Sequence, residues 1–197
     1  MKKTSFVSAT LLSVAMLFGF ISFASAKSTY VIDTAGVHYY AGFQISHLGF
    51  STMHGRFDTL SGTIKYDDAE PTNSQVSVTI KASSINTNMA KRDAHLKSPD
   101  FFNVEEFSDI TFVSTKLVKT GEKTAKMTGN LTMMGVTRSI TLDTTLINIG
   151  ANPFSKAPTA AWSARGTIKR SDFGSKYGAP AIGDEVTLII DIEALKQ

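Results

Sequence analysis

Gln75-Val76-Ser77-Val78-Thr79-Ile80-Lys81-Ala82-Ser83-Ser84 alternates strictly between two kinds of residue. Val76, Val78, Ile80, Ala82 and Ser84 share one phase; Gln75, Ser77, Thr79, Lys81 and Ser83 share the other. Side chains of an extended strand point alternately to opposite faces, so one apolar phase describes a strand with one buried side. The same period appears at Ile140, Leu142, Thr144 and Leu146, and again at Val186, Leu188, Ile190 and Ile192. Upstream, Val37, Tyr39, Ala41, Phe43, Ile45 and His47 fall on one face. Residues 52–66, 110–117, 123–133 and 161–170 read as further strands. Turn-forming clusters separate them, at Asp67-Asp68-Ala69-Glu70-Pro71, Thr120-Gly121-Glu122 and Gly150-Ala151-Asn152-Pro153. The pattern predicts about eight strands, most of them longer than the usual 5–6 residues. Long half-buried antiparallel strands must hide one face and protect their edges, and closure into a barrel does both. The expected class is all-β, an eight-stranded antiparallel barrel wide enough inside for side chains or one slender ligand, with a two-sheet sandwich as the alternative.

The chain start carries a different signal. Met1-Lys2-Lys3 is basic, residues 6–23 are apolar or small, and Ala24-Ser25-Ala26 offers a signal-peptidase site. This is the three-part pattern of a secretory signal, with cleavage expected after Ala26 and one domain expected over residues 27–197. No cysteine follows the apolar run, which excludes a lipoprotein anchor, and no second long apolar run exists. The expected destination is the periplasm, with no permanent membrane anchor. Without the signal, 18 basic residues stand against 17 acidic ones, which argues against a nucleic-acid partner. The absence of cysteine excludes disulfides, thiolate metal sites and a cysteine nucleophile.

One stretch breaks the alternation. Residues 89–97 are helix formers without a β-branched residue, and Ser98-Pro99-Asp100 has the form of an N-cap followed by Pro in the first turn. Two short helices are predicted here, on the longest crossover between strands. The crossover is expected to cover one mouth of the barrel and gate entry, with Asp93 paired to Arg92 or Lys97 as the alternative.

Catalytic signatures are missing: there is no G-x-S-x-G, H-E-x-x-H, phosphate loop or dinucleotide fingerprint. His38, His47, His54 and His95 match no metal spacing, and neither a metal nor a cofactor is expected. The inward phase predicts a ligand-lining set of Phe43, Ile45, Val78, Ile80, Phe112, Met127, Leu131, Leu142, Trp162 and Ile168. Ala82, Ser84, Gly129, Ala164 and Gly166 on the same phase are expected to leave room for an elongated apolar cavity. His47 and Arg170 continue apolar faces, and Arg92 sits in the crossover. These three are the candidates for polar contacts at a pocket end, the alternative for His47 and Arg170 being strand-end residues that reach water.

Several segments then resemble one family in order. They are Tyr30-Val31-Ile32-Asp33, Phe43-Gln44-Ile45-Ser46-His47-Leu48-Gly49, Gly55-Arg56-Phe57, Leu60-Ser61-Gly62-Thr63-Ile64 and Ser84-Ile85-Asn86-Thr87. Residues 92–102, Arg-Asp-Ala-His-Leu-Lys-Ser-Pro-Asp-Phe-Phe, follow, then Ile110-Thr111-Phe112-Val113-Ser114 and residues 129–137. Arg170-Ser171-Asp172-Phe173-Gly174 and Gly183-Asp184-Glu185-Val186 close the series. The chain resembles the YceI family of lipocalin-like periplasmic proteins over nearly all of residues 27–197, with Tyr30 where that family commonly has Trp. The resemblance implies an eight-stranded barrel with a long apolar pocket for a polyisoprenoid, a prenyl quinone or a fatty-acid-derived lipid. It implies no catalysis and no metal, and it makes a homodimer an expectation. Three classes of function follow: a lipid carrier, an enzyme acting on a prenyl lipid with His47 or His95 as its base, and a stress-response protein whose lipid is incidental.

Overall fold

A computed structural model describes residues 27–197. The expected signal peptide, residues 1–26, lies outside the described residues. Six strand segments form three bent strands: β1 (Ser28–Ile32) with β2 (Tyr39–His47), β3 (Ser51–Phe57) with β4 (Leu60–Tyr66), and β5 (Gln75–Lys81) with β6 (Ile85–Asn86). Five strands follow: β7 (Asp109–Lys119), β8 (Thr124–Met133), β9 (Val136–Ala151), β10 (Pro158–Lys169) and β11 (Ile182–Lys196). With each bent strand taken once, the sheet is the expected closed eight-stranded antiparallel barrel, and each strand pairs with its neighbour in sequence. Closure comes from β11. Its first part pairs with β2, from Val186↔Ile45 to Ile192↔Tyr39, and its last part with β1, through Ile32↔Ala194, Val31↔Leu195 and Tyr30↔Lys196.

The three bends are adjacent and each has a local cause. Between β1 and β2, the Asp33 carboxylate accepts from Gly36 N at 2.9 Å and meets His38 Nδ1 at 2.8 Å. Residues 34–37 are thereby looped out while Asp33 N and His38 O still pair with Glu193 of β11. Between β3 and β4, Asp58 N donates to Ser84 O and Thr59 N to Ser84 Oγ. The alternation of residues 75–84 ends one turn early for the same reason. Ala82–Ser84 form a single 3-10 turn, held by Ser84 Oγ donating to Lys81 O at 2.6 Å. A hydroxyl that competes for backbone groups is a common end of regular structure.

Where β1, β10 and β11 meet, the interior is tight. Ala194 and Ala160 are opposite one another, and Ala194 also faces Ile32. All three are at most 1% exposed, and small residues let the curved strands approach there. The inward phase of the strands forms two apolar clusters. One lies around Tyr30, Ile32, Leu60 and Ile64, the other around Ile110, Phe112, Met127, Leu131, Leu142, Ile168 and Phe173.

The crossover holds one helix, α1 (Ala90–Leu96), and not two. After it the chain reverses through Phe102 N to Leu96 O, Asn103 N to Ser98 O and Val104 N to Lys97 O. Asn103 is left-handed, at φ 44°. Tertiary packing overrides the capping signal at Ser98-Pro99-Asp100. The two phenylalanine rings that a second helix would carry together go different ways, Phe102 against Phe57 at 5.5 Å and Phe101 against His95 at 5.1 Å. The β8–β9 hairpin turns on Met134 and Gly135, both with positive φ (53° and 71°), as a two-residue turn matched to strand twist requires.

The inward glycines do not leave empty space. A Cβ on Gly129 would meet the Phe112 ring and stand 2.7 Å from Val113 O, and one on Gly166 would stand 2.6 Å from Leu142 Cδ2. The large neighbours lie over them. Gly129→Ala is therefore expected to lower the free energy of unfolding by about 1–3 kcal/mol, because backbone as well as a ring must shift. Urea denaturation of wild type and variant checks this, and an unchanged midpoint would mean that the strand can bow outward freely.

Candidate functional site

The barrel encloses a cavity of about 470 Å³. Its wall is built from the period-two phase seen in the sequence. Phe43, Ile45 and His47 of β2, Val78 and Ile80 of β5, Phe112 of β7, Met127 and Leu131 of β8, Leu142 of β9, and Trp162 and Ile168 of β10 all line it. Arg92 of α1 and Arg170 line it as well, so all thirteen residues singled out from the sequence face one space. Polar side chains gather toward the two ends of this wall. His47, His54, Arg92, His95 and Tyr177 mark the end beneath the crossover. Tyr66, Thr72, Lys119, Glu122 and Lys123 mark the other.

At the crossover end, the motif residues lock one another. Thr87 N and Thr87 Oγ1 both donate to Asp93 Oδ1, the former at 2.9 Å. Arg92 Nε donates to Thr87 Oγ1 and Arg92 Nη2 to Thr87 O, each at 2.7 Å. Asp93 thus holds Thr87, and not Arg92 or Lys97 as the sequence alternative had it. The clamp fixes the first turn of α1 over the barrel and leaves Arg92 Nη1 without a bond in this set. Asn86 Nδ2 donates to Asp58 Oδ2 at 2.7 Å, and Arg56 Nε donates to Asp58 Oδ1 at 2.6 Å, tying the same corner to β3.

The cover is stitched to the loop before β11 by three rings. His95 lies 5.1 Å from Phe101 and 5.0 Å from Tyr177, and Phe101 and Tyr177 are 5.1 Å apart. His95 Nε2 also meets Asp100 Oδ2 at 2.9 Å. The His95 pairs are edge-to-face and the Phe101–Tyr177 pair is tilted; an aromatic pair such as the last adds roughly 0.5–1.5 kcal/mol beyond the area it buries. Tyr177 is nearly half exposed, so the contact closes the surface of the mouth rather than its depth. Tyr177, Phe101 and His54 escaped the sequence reading. Tyr177 lies in an aperiodic Gly- and Pro-containing loop, and nothing in the spacing of residues 170–181 reports which way a ring will turn.

Arg170 is placed differently from its sequence position. It is not the last residue of β10 but opens a 3-10 turn, Arg170–Phe173. The residue is 6% exposed and its guanidinium is committed to the chain: Nε donates to Gly183 O at 2.7 Å, Nη2 to Ile182 O at 3.0 Å and Nη1 to Ser175 O at 3.2 Å. Burial pulls its pKa below the usual guanidinium value, and the charge of Asp184 opposes that shift. Asp184 accepts from Ser171 Oγ and Ser171 N at 2.8 and 2.9 Å, which holds its carboxyl below the ordinary range. Arg170 therefore spans the loop that carries Tyr177, pinning its start to the start of β11.

A closed antiparallel barrel around an apolar cavity is the architecture of lipocalin-like proteins. The YceI-like domain family matches residues 30–194, and the chain belongs to that family. It is 38% identical to Protein YceI of Salmonella arizonae over 178 residues, 90% of this chain and 92% of that protein. The crystal structure of the Campylobacter jejuni YceI protein matches with a TM-score of 0.68 at 34% identity, covering 77% of this chain and 90% of that one. BcnA of Burkholderia cenocepacia shares the fold with a TM-score of 0.74 at 23% identity, over 83% of this chain and 99% of that one. A polyisoprenoid binding domain from Saccharophagus degradans also shares it, with a TM-score of 0.65 at 16% identity, over 87% of this chain and 99% of that one.

Removing the Arg170 fork leaves buried carbonyls without donors, the costly side of a lost hydrogen bond. Arg170→Met is expected to lower stability by about 3 kcal/mol. Amide exchange should rise across residues 170–183 in the unliganded protein. A variant as stable as wild type, with the same exchange, would show that the fork is dispensable to the loop.

Proposed function

We propose that the protein is a periplasmic carrier that holds a long-chain isoprenoid, or a similar amphiphile such as a prenyl quinone or fatty-acid-derived lipid, inside its barrel, and that it is not an enzyme. One observation carries the reading: the cavity wall is aliphatic and aromatic along the barrel, with polar side chains kept to its ends. A long apolar chain gains roughly 0.8 kcal/mol for each methylene it buries, so such a wall supplies affinity by area. It supplies little choice of headgroup, which needs a few placed polar groups. His47 and the spare Nη1 of Arg92 are the groups suited to that task. Imidazole can donate or accept, and a guanidinium donor favours a phosphate or a quinone carbonyl. Arg170 has its donors engaged by Ser175, Ile182 and Gly183, and its part in binding is to hold the Tyr177 loop. His95 is oriented by Asp100 and two rings, a full account of its position that needs no substrate proton. The name of the Saccharophagus degradans domain lends support. Among the described residues no helix is long and apolar enough to cross a membrane. Secretion follows from the signal pattern of residues 1–26.

The contact of His95, Phe101 and Tyr177 is the part of the mouth that opens. Native mass spectrometry of the protein purified from its own periplasm should reveal a bound amphiphile of defined mass, and Tyr177→Ala should release it at least several-fold faster without loss of fold. Empty protein that turns over prenyl diphosphates would replace the carrier with an enzyme.

A further inference from the structure

The cavity has a second end that a carrier loaded through the crossover mouth would not need. Strand β8 runs from one end of the barrel to the other, and both Thr124 and Met133, its first and last residues, line the cavity. At about 3.3 Å per residue the lining follows this strand for roughly 30 Å. Tyr30, Trp162 and Tyr66 pack at 5.5 and 5.9 Å and fill the side under β1, β4 and β10. On the other side the lining passes from Ala125 and Thr124 onto Glu122 and Lys123 of the β7–β8 turn and Thr72 of the β4–β5 turn. Thr72, Glu122, Lys123 and Thr124 are all exposed. Residues that both line a cavity and meet solvent mark an opening.

We infer that the cavity is a tunnel open at both ends, so that it accepts linear apolar chains longer than the barrel, whose far ends emerge between Thr72 and Lys123. The inference rests on the lipid-binding reading and deepens it: a blind cup sets a ceiling on chain length, and a tunnel does not. The rim suits an emerging chain. Lys119 and Lys123 line it, and a lysine can lay its methylene stem along an apolar chain while its ammonium stays in water.

Because the chain contains no cysteine, Lys123→Cys places a single thiol on this rim. Its alkylation by a maleimide is to be timed in the free protein and with the short prenol farnesol or the long prenol solanesol bound. Solanesol should slow alkylation several-fold, and farnesol should leave it unchanged. Ala125→Trp, which fills the half-buried inward position at this end, should keep farnesol and weaken solanesol at least tenfold. Wild-type protein that binds farnesol but not solanesol, or bound solanesol that leaves the thiol as reactive as in the free protein, overturns the second opening alone. Wild-type protein that binds neither prenol overturns the lipid-binding reading and this inference with it.

Discussion

The barrel depends on one backbone constraint: the first and last strands must pair, or two rows of amide and carbonyl groups are left at open edges. Residues Tyr30–Ile32 meet Ala194–Lys196 to satisfy it. The alanines at this seam allow the approach, and the looped-out residues 34–37 let β11 serve β1 and β2 in turn without a break in its own pairing. Once the sheet is closed, every inward side chain faces every other across a shared interior. The cavity is a consequence of closure rather than a separate device.

The motif residues surrounding the cavity are mostly structural in this arrangement. Thr87, Arg92 and Asp93 fasten the cover, Ser84 and Asp58 form the corner beneath it, and Arg170 with Asp184 and Ser171 holds the opposite loop. Thr87, Asp93 and most of the Arg92 guanidinium are thus committed to one another at the crossover mouth. The mouth is positioned by a hydrogen-bonded frame, and the contact that closes its surface is a cluster of three rings outside those hydrogen bonds.

The alternation of residues 75–84 and its repeats made the barrel and its inward face legible, because period two is enforced by the backbone itself. The wall residues from Phe43 to Ile168 follow from that phase. What escaped the sequence was set by contacts between distant segments. The bonds from Ser84 to Lys81 and Thr59 turn an apparent strand end into a 3-10 turn. Phe101 and Phe102 divide between two partners and undo a predicted second helix. Phe112 and Leu142 cover Gly129 and Gly166, so residues that promised room mark close packing. Arg170 looked like a strand-end cation, and only the return of the chain at Ile182 and Gly183 shows what its donors are for.

The meander order of the strands gives the seam a particular place in time. Every other strand pair joins neighbours in sequence, so those contacts can form as the chain elongates, whereas the seam spans nearly the whole domain and carries the largest loop-closure entropy. Until β11 is available, a chain with seven strands formed still presents two unpaired edges and an apolar inner face. Such an intermediate is the species most open to association with its own kind. No disulfide can hold it meanwhile, since the chain has no cysteine. Strand β11 is therefore what converts an aggregation-prone sheet into a finished vessel.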